Sequence, residues 1–355
     1  MISEKIENWN NMFLEDLKKC KNSGYPTYVY GGGEGASNVE KRIEKLLFSS
    51  CIQGKVVDKK YLNGEGDVLV LQDILKKEEK INLVVAFNGY KKESLEGYEE
   101  KINIIVDRDC WSGNCYVDDT IWTKEFIVAN ENNLEYTYNN LEDQKSKDVL
   151  LAYINQKITM EYGYLGKEKT YPQYFEREII QLDEGEVFVD CGAYDGDSAE
   201  AFINACGKKG YKKIISFEPD PLNYKKLVKR NYKNHECLNL ATSDKDEELC
   251  FSISSTSSSI CEKGEVRIKA IKMDDKINEQ VTMIKMDIEG AELASLKGAE
   301  RIIKENRPKL AICIYHKKED IWEILSYIKK IVPEYKFYMR AYEDFATELV
   351  LYAIP

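Results

Sequence analysis

The run Asp190-Cys191-Gly192-Ala193-Tyr194-Asp195-Gly196 constrains the fold of this chain more than any other segment. The residues before it, Glu186-Val187-Phe188-Val189, read as a buried parallel strand, and Asp197-Ser198-Ala199-Glu200-Ala201-Phe202-Ile203 reads as the first turns of a helix. An acid ends the strand, two glycines shape the turn, and a helix N-terminus follows. An open α/β sheet makes a ligand crevice at the carboxyl edge of its strands in this way. The glycines serve where backbone takes φ > 0 or comes close to a ligand.

A second acidic strand end supports the first. Lys213-Ile214-Ile215-Ser216-Phe217 is another short strand, ended by Glu218-Pro219-Asp220, and Glu218 lies 22 residues beyond Gly196. At that spacing in a βαβ unit a carboxylate reaches the two hydroxyls of a ribose. The turn is Gly192-x-x-x-Gly196 rather than the G-x-G-x-x-G of dinucleotide sites, and Asp190 and Asp195 flank it. Acids there repel a pyrophosphate but suit a ligand carrying an ammonium and a sulfonium, such as S-adenosylmethionine. The competing reading is an ordinary structural βα turn.

A third element is Thr282-Met283-Ile284-Lys285-Met286-Asp287-Ile288-Glu289-Gly290-Ala291-Glu292, a strand ending in acids, followed by Leu293-Ala294-Ser295-Leu296-Lys297-Gly298-Ala299. Together with Val187-Phe188-Val189-Asp190-Cys191-Gly192-Ala193 and Phe217-Glu218-Pro219, it resembles the FkbM family of S-adenosylmethionine-dependent methyltransferases from about Tyr174 to Pro355.

That resemblance implies a Rossmann-like (class I) methyltransferase sheet, an O-methyltransferase activity on a saccharide, nucleotide sugar or related natural product, and a place in polysaccharide biosynthesis. Asp190, Gly192 and Gly196 match the turn at the cofactor's amino-acid end, with Tyr194, Asp195 and Ser198 also counted as cofactor-binding. Glu218 matches the ribose carboxylate, and Ser243 and Asp244 sit where such enzymes hold the adenine. Asp287, which also touches the cofactor, and Glu289 lie beside the methyl group; with His316 they form the catalytic set. Residues 335–340 and 349–353 fit a closing antiparallel hairpin. Arg340-Ala341-Tyr342 departs from the Arg-His found in many members, so no histidine role transfers there.

The chemistry follows from the cofactor. In-line displacement at a methyl already activated by a positive sulfur needs no covalent enzyme intermediate, so alignment of the acceptor oxygen supplies about 7–11 kcal/mol in good cases. A base, Asp287 first and His316 second, adds roughly 10²–10⁴-fold for an alcohol. A non-catalytic sugar-nucleotide-binding protein with a degenerate methyltransferase domain is the alternative.

Metal is not expected. A carboxylate cluster of Asp287, Glu289 and Glu292 is suited to Mg²⁺, but Glu292 one turn into a helix also favours the helix dipole. Of the two histidines, His316 follows the strand Leu310–Tyr315 beside Asp287, whereas His235 falls in the polar stretch 231–236, read as a solvated helix end.

Charge narrows the partners. With 51 basic and 62 acidic residues the net charge is −11, a poor fit to nucleic acid, whose binding rests on phosphate contacts. Ten cysteines lack any C-x-x-C, the nearest pair being Cys110 and Cys115, and with no secretory signal they read as reduced thiols of a cytoplasmic protein. No apolar run approaches the roughly 20 residues that span a bilayer.

The N-terminal half reads as a smaller Rossmann-like sheet, similar to nucleotide-binding domains that precede transferases in sugar-modifying proteins. Pro26–Tyr30 is a strand, Gly31, Gly33 and Ala36 match G-x-G-x-x-A, a helix runs from about Ser37 to Phe48, and Lys55–Asp58 ends in an acid. Leu83–Phe87 and Ile102–Val106 are further strands. The loop with Asp58 either holds a nucleotide or keeps its glycines for tight packing; Glu34 opposes a pyrophosphate. The expected divisions are residues 1–130, a helical connector 131–175 in which Leu141, Val149, Tyr153 and Ile154 face inward, and 176–355. Within the connector, the aromatic segment 162–175 is either a wall over the crevice or packing at a domain seam. Ser252–Ser259, with seven hydroxyl residues in eight, reads as a substrate loop.

Overall fold

The computed structural model describes residues 1–47, 51–62, 67–87, 90–106, 122–161, 163–252, 259–260, 266–344 and 347–355. Phe48, Cys110, Cys115, Tyr162 and most of the serine tract (253–258) lie outside the described residues.

Two parallel sheets organise the chain. In the first, β1 (Thr27–Tyr30), β2 (Ile52–Val57), β3 (Val68–Val70), β4 (Ile81–Val85) and β5 (Ile102–Val106) stand in the order β3-β2-β1-β4-β5. Each pairing is parallel. The three-residue β3 is too short to leave a periodicity in the sequence. The helix after β1 starts at Glu34, three residues earlier than expected.

The second sheet contains β6 (Val187–Cys191), β7 (Lys213–Phe217) and β8 (His235–Leu238). A small sheet intervenes, made of β9 (Ala241–Thr242), β10 (Glu247–Ser252), β11 (Ser259–Ile260) and β12 (Val266–Ile271). The large sheet then resumes with β13 (Met283–Met286), β14 (Lys309–Cys313), β15 (Lys336–Ala341) and β16 (Leu349–Ile354). Its order is β15-β16-β14-β13-β6-β7-β8. The five strands from β14 to β8 are parallel, and β16 pairs antiparallel with both β14 and β15, as the expected hairpin requires. Strand order reverses between β6 and β13, so the loops after these two strands part there and open a crevice.

The buried faces of β6, β13 and β14 are near-continuously apolar, as strands covered on both sides must be. Leu141, Val149, Tyr153 and Ile154 of the connector are buried in the same core, as expected. Ile2 and Ile6, far off in sequence, join that core too. The helix Gln144–Thr159 lies on β15, where Met339 N–H donates to Ser146 Oγ (2.9 Å) and Glu142 N–H to the Phe337 carbonyl (2.9 Å). The exposed edge of the sheet is thereby covered.

His235 is not a solvated helix end. It opens β8 and sits half-buried, with a ring nitrogen 2.8 Å from Ser216 Oγ. An edge strand has one solvated side, which lends it the polar look of a helix terminus.

Candidate active site

The reversal point carries a cleft of about 1140 Å³ lined by the turn after β6, the ends of β7 and β13, the wall 171–174 and the loop before β16. Asp190, at the end of β6, is fully buried. It faces Lys285 on β13, its partner in the strand register, with Nζ 3.3 Å from Oδ1, and accepts a 2.6 Å hydrogen bond from Ser198 Oγ. Lys285 Nζ also donates to the Gly192 carbonyl (2.7 Å) and lies over the Tyr174 ring at 5.3 Å. Burial works against this ammonium, but Asp190 and Asp287 hold its pKa above the ordinary lysine value. Asp190 and Lys285 thus form the buried frame on which the glycine turn rests.

The turn needs its glycines. At Gly192 φ is +77°, and a Cβ would stand 1.9 Å from the Asp287 carbonyl oxygen, so the chain leaving β6 passes directly against the chain leaving β13. Gly196 caps the next helix at φ +94°. Between them the acids part company. Asp195 turns outward to Arg230 (3.1 Å), while Asp197, which the sequence reading did not select, lines the cleft. Burial raises the Asp197 pKa.

Glu218 faces the same cleft from the end of β7. Its Oε2 accepts from Tyr194 N–H (2.8 Å) and its Oε1 from Asp220 N–H (2.8 Å), so the carboxylate is fixed and each oxygen keeps a lone pair for the cleft. Burial pushes its pKa up to about 7, against the pull of those two donors.

Of the residues near β9, those expected at an adenine are not the ones at the cleft. Leu240, Ala241, Thr242 and Ile268 line the cleft; Ser243 and Asp244 do not. The chain turns after β9, Asp244 is exposed, and the Ser243 carbonyl packs so closely on Gly298 that a Cβ there would lie 1.9 Å away. The glycine of Leu-Lys-Gly-Ala therefore answers a backbone contact.

Asp287 presents a carboxylate at the end of β13. Its Oδ2 accepts from Tyr174 OH (3.0 Å) and its Oδ1 from Tyr315 OH (3.2 Å). Burial opposes its charge, yet Lys285, His316 and Tyr174 hold its pKa below the ordinary value. Both phenols stay protonated, since burial and Asp287 raise them well above theirs. Glu289 borders the cleft, in a left-handed backbone conformation (φ +56°).

His316 does come to Asp287, but behind it rather than at the cleft surface. Nε2 is 3.5 Å from Asp287 Oδ1 and 3.6 Å from Glu289 Oε2, and Nδ1 is 3.0 Å from Glu292 Oε1. Burial lowers its basicity, but Glu292, Asp287 and Glu289 prevail and raise its pKa to about 10. At neutral pH the ring is protonated and has no lone pair with which to act as a base.

Glu348 was not legible as a site residue. It reaches the cleft from the loop before β16, bonded by Gln173 Nε2, and burial beside Asp287 raises its pKa to about 7. The aromatic segment proves to be both wall and seam. Tyr171, Gln173 and Tyr174 line the cleft, whereas Phe175 packs on Phe188 and Phe202 at 5.8 and 5.9 Å between ring centres.

In the N-terminal sheet, Gly31 and Gly33 lie in the turn after β1 and Ala36 in the first turn of the helix that follows. A Cβ at Gly31 would make only ordinary contacts with Ala36 and the Ala86 carbonyl (3.4 Å), and it is the φ of +148° that favours glycine there. Asp58 follows β2, but Tyr30 OH (2.6 Å) and Gln72 Nε2 (2.8 Å) already donate to its two oxygens.

A doubly wound parallel sheet closed by an antiparallel hairpin, with acids at three strand ends around its reversal point, is the architecture of Rossmann-like methyltransferases. Residues 190–339 match the Methyltransferase FkbM domain. The crystal structure of methyltransferase FkbM from Methylobacillus flagellatus KT is similar in fold over 99% of this chain and 97% of its own, with TM-score 0.71 and 23% identity. An rRNA methylase from Streptococcus thermophilus aligns with 48% of this chain and 87% of its own at 16% identity and TM-score 0.33. Aeropyrum pernix fibrillarin with bound S-adenosyl-L-methionine aligns with 50% of this chain and 71% of its own at 13% identity and TM-score 0.31. No curated protein matches the chain. Among the described residues no helix is long and apolar enough to cross a membrane.

Proposed function

We propose that the chain is an S-adenosylmethionine-dependent O-methyltransferase acting on a hydroxyl of a saccharide, a nucleotide sugar or a related natural product. The observation that carries this reading is the fixed Glu218 carboxylate, open to the same cleft as Gly192, Asp197 and Asp287. Its free lone pairs suit two ribose hydroxyls, and the acidic turn suits an ammonium. Leu240, Ala241 and Ile268 offer an apolar wall to an adenine. The cofactor, when bound, supplies a methyl group made electrophilic by a positive sulfur.

The remaining work falls to this chain. Asp287, held ionised and fixed by two phenols, orients the acceptor hydroxyl. Glu348, poised near neutrality, takes the hydroxyl's proton; a base is most effective when its pKa is near the working pH. The cleft of about 1140 Å³ exceeds the usual small-ligand range, leaving room for an acceptor beside the cofactor. Saccharide hydroxyls fit the polar Gln173–Glu348 end, and a net charge of −11 disfavours a nucleic-acid acceptor. The free thiols of Cys20, Cys191 and Cys313 accord with a reducing, cytoplasmic setting.

Calorimetry of S-adenosylmethionine with the wild type and Glu218→Ala tests the cofactor half. Binding near 1 μM, about −8 kcal/mol, should be lost in the variant. Methyl transfer from labelled cofactor to a panel of sugar nucleotides and glycans then tests the acceptor. A wild type that binds no cofactor, with or without the panel, ends the proposal.

A further inference from the structure

Carboxyl groups gather where the cleft meets its back wall. Asp287, Glu289, Glu292, Asp320 and Glu348 act on one another there, and Glu292 and Asp320 are buried. Against these five carboxyl groups stand Lys285, Lys317 and the His316 ring itself, so compensation depends on that ring holding its proton or an ion in its place. Buried charge is costly unless matched.

His316 lies at the centre of this cluster with its side chain 3% exposed. Neither ring nitrogen has an aligned hydrogen-bond partner, and neither does the buried Glu292 Oε2. The 3.0 Å approach of Glu292 Oε1 to Nδ1 is an ion-pair distance without hydrogen-bond alignment. The 3.5 and 3.6 Å separations from Nε2 to Asp287 and Glu289 are too long for charge-assisted hydrogen bonds, which run about 2.7–2.9 Å. The two Nε2 separations match ligands that share one ion with Nε2, whereas Glu292 Oε1 approaches the other ring nitrogen and joins such an ion only by turning its carboxylate toward the Nε2 side. Two donors each about 2.1 Å from a metal stand roughly 3.0 Å apart at right angles and roughly 3.4 Å apart at the tetrahedral angle. One donor atom from each of Asp287, Glu292 and His316 falls within 4.8 Å of the other two.

We propose that Asp287, Glu292 and His316 form a divalent-cation site in the wall of the cleft, with Glu289 at its rim. An ion there takes the place of the imidazolium proton. Imidazole nitrogen with carboxylate oxygen selects a borderline first-row ion of the Mn²⁺, Co²⁺ or Zn²⁺ kind. Ca²⁺ wants six to eight oxygens and Mg²⁺ an all-oxygen octahedron. Asp287 is shared with the cleft, so remaining coordination positions open toward it. The site is a property of the free protein and stands whether or not the cleft transfers methyl groups.

The test uses the full chain stripped with chelator and titrated with MnCl₂ and ZnCl₂. Calorimetry should give one ion per chain, weakened about 100-fold in both His316→Gln and Glu292→Gln. The chain has only two histidines, which gives a second readout that needs no variant at the site. Mn²⁺ should broaden the ring resonances of His316 and spare those of His235, assigned with His235→Gln. The proposal falls if neither ion binds saturably, if both site variants bind as the wild type does, or if Mn²⁺ spares His316 or broadens both rings alike.

Discussion

Replacing Lys285 by Met tests whether the buried pair with Asp190 frames the site. Met fills nearly the same volume, so packing is retained while the charge is deleted. The side chains of Lys285 and Asp190 are 4% and 0% exposed, and solvent screening gives little relief. Asp190 then keeps only the Ser198 hydroxyl, and the Gly192 carbonyl loses its 2.7 Å donor. Removing one partner of such a pair costs about 3–5 kcal/mol, because an uncompensated charge stays buried. At about 2–4 °C per kcal/mol for a domain of this size, the melting temperature should fall by about 6–20 °C. The unfolding of the C-terminal core can be followed by fluorescence of Trp122 and Trp322, both packed within it. The double variant Lys285→Met/Asp190→Asn should recover part of the loss, with a coupling near 2 kcal/mol or more. Full recovery is not expected, since Asp287 also loses its lysine. A single-variant loss below about 1 kcal/mol, or strict additivity in the double variant, would refute the frame.

Other outcomes follow from the same geometry. Gly192→Ala should cost at least about 3 kcal/mol, since it joins a left-handed φ to a 1.9 Å clash with the Asp287 carbonyl, and an unchanged melting temperature would contradict that. Asp287→Asn should lower kcat by about 10²–10⁴ while leaving cofactor affinity within about threefold; equal turnover in that variant removes the carboxylate from the chemistry. For Glu218, whose pKa is raised to about 7, the sign divides two measurements. Its carboxylate form accepts ribose hydroxyls, so cofactor affinity should fall about tenfold per pH unit below 7. The folded state holds this proton more tightly than the unfolded one, so this group's contribution to stability should grow as pH falls from 7 toward the ordinary glutamate value. An affinity flat from pH 8 to pH 6 would count against Glu218 as the ribose ligand.

The parts of the site that could be read in advance are those the chain builds locally. Asp190, Glu218 and Asp287 each end an apolar strand, and the adjacent turns carry their own glycines. What joins those strand ends is not local. The pairing of Lys285 with Asp190 exists because β13 lies beside β6 in register, across 95 positions of chain. Tyr174 and Glu348 arrive from segments flanking the motifs on either side and carry no signature of their own. The family resemblance put Ser243 and Asp244 at the adenine, but neither lines the cleft, and the Ser243 carbonyl packs on Gly298. His235 misled because an edge strand shares its mixed polarity with a helix end. His316 was expected near Asp287 from strand adjacency alone, but its three carboxylate neighbours come from a turn and a helix whose approach is tertiary.

The departure at Arg340-Ala341-Tyr342 bears on how the acceptor side is built. Arg340 is buried, and its guanidinium donates to Asp143 Oδ2 (2.7 Å), Glu176 Oε1 (3.1 Å) and Ser146 Oγ (2.9 Å). It therefore ties β15 to the connector helix and to the chain two residues past Tyr174. Thr170 N–H donates at 3.0 Å to the carbonyl of Ala341, the residue that stands in place of the histidine, Gln173 bonds Glu348, and Tyr342 bonds Tyr352. The segment 170–176 is thus tied to Arg340, Ala341 and Glu348, and Tyr171, Gln173, Tyr174 and Glu348 line the cleft. Neither segment carries a recognisable motif, and both owe their place to the connector that covers β15. The cofactor side is set by glycines and strand ends, which tolerate little change. If the cleft transfers methyl groups as proposed, its Gln173–Glu348 end is set by a clamp around Arg340, so differences in acceptor among chains of this architecture should concentrate in those two segments.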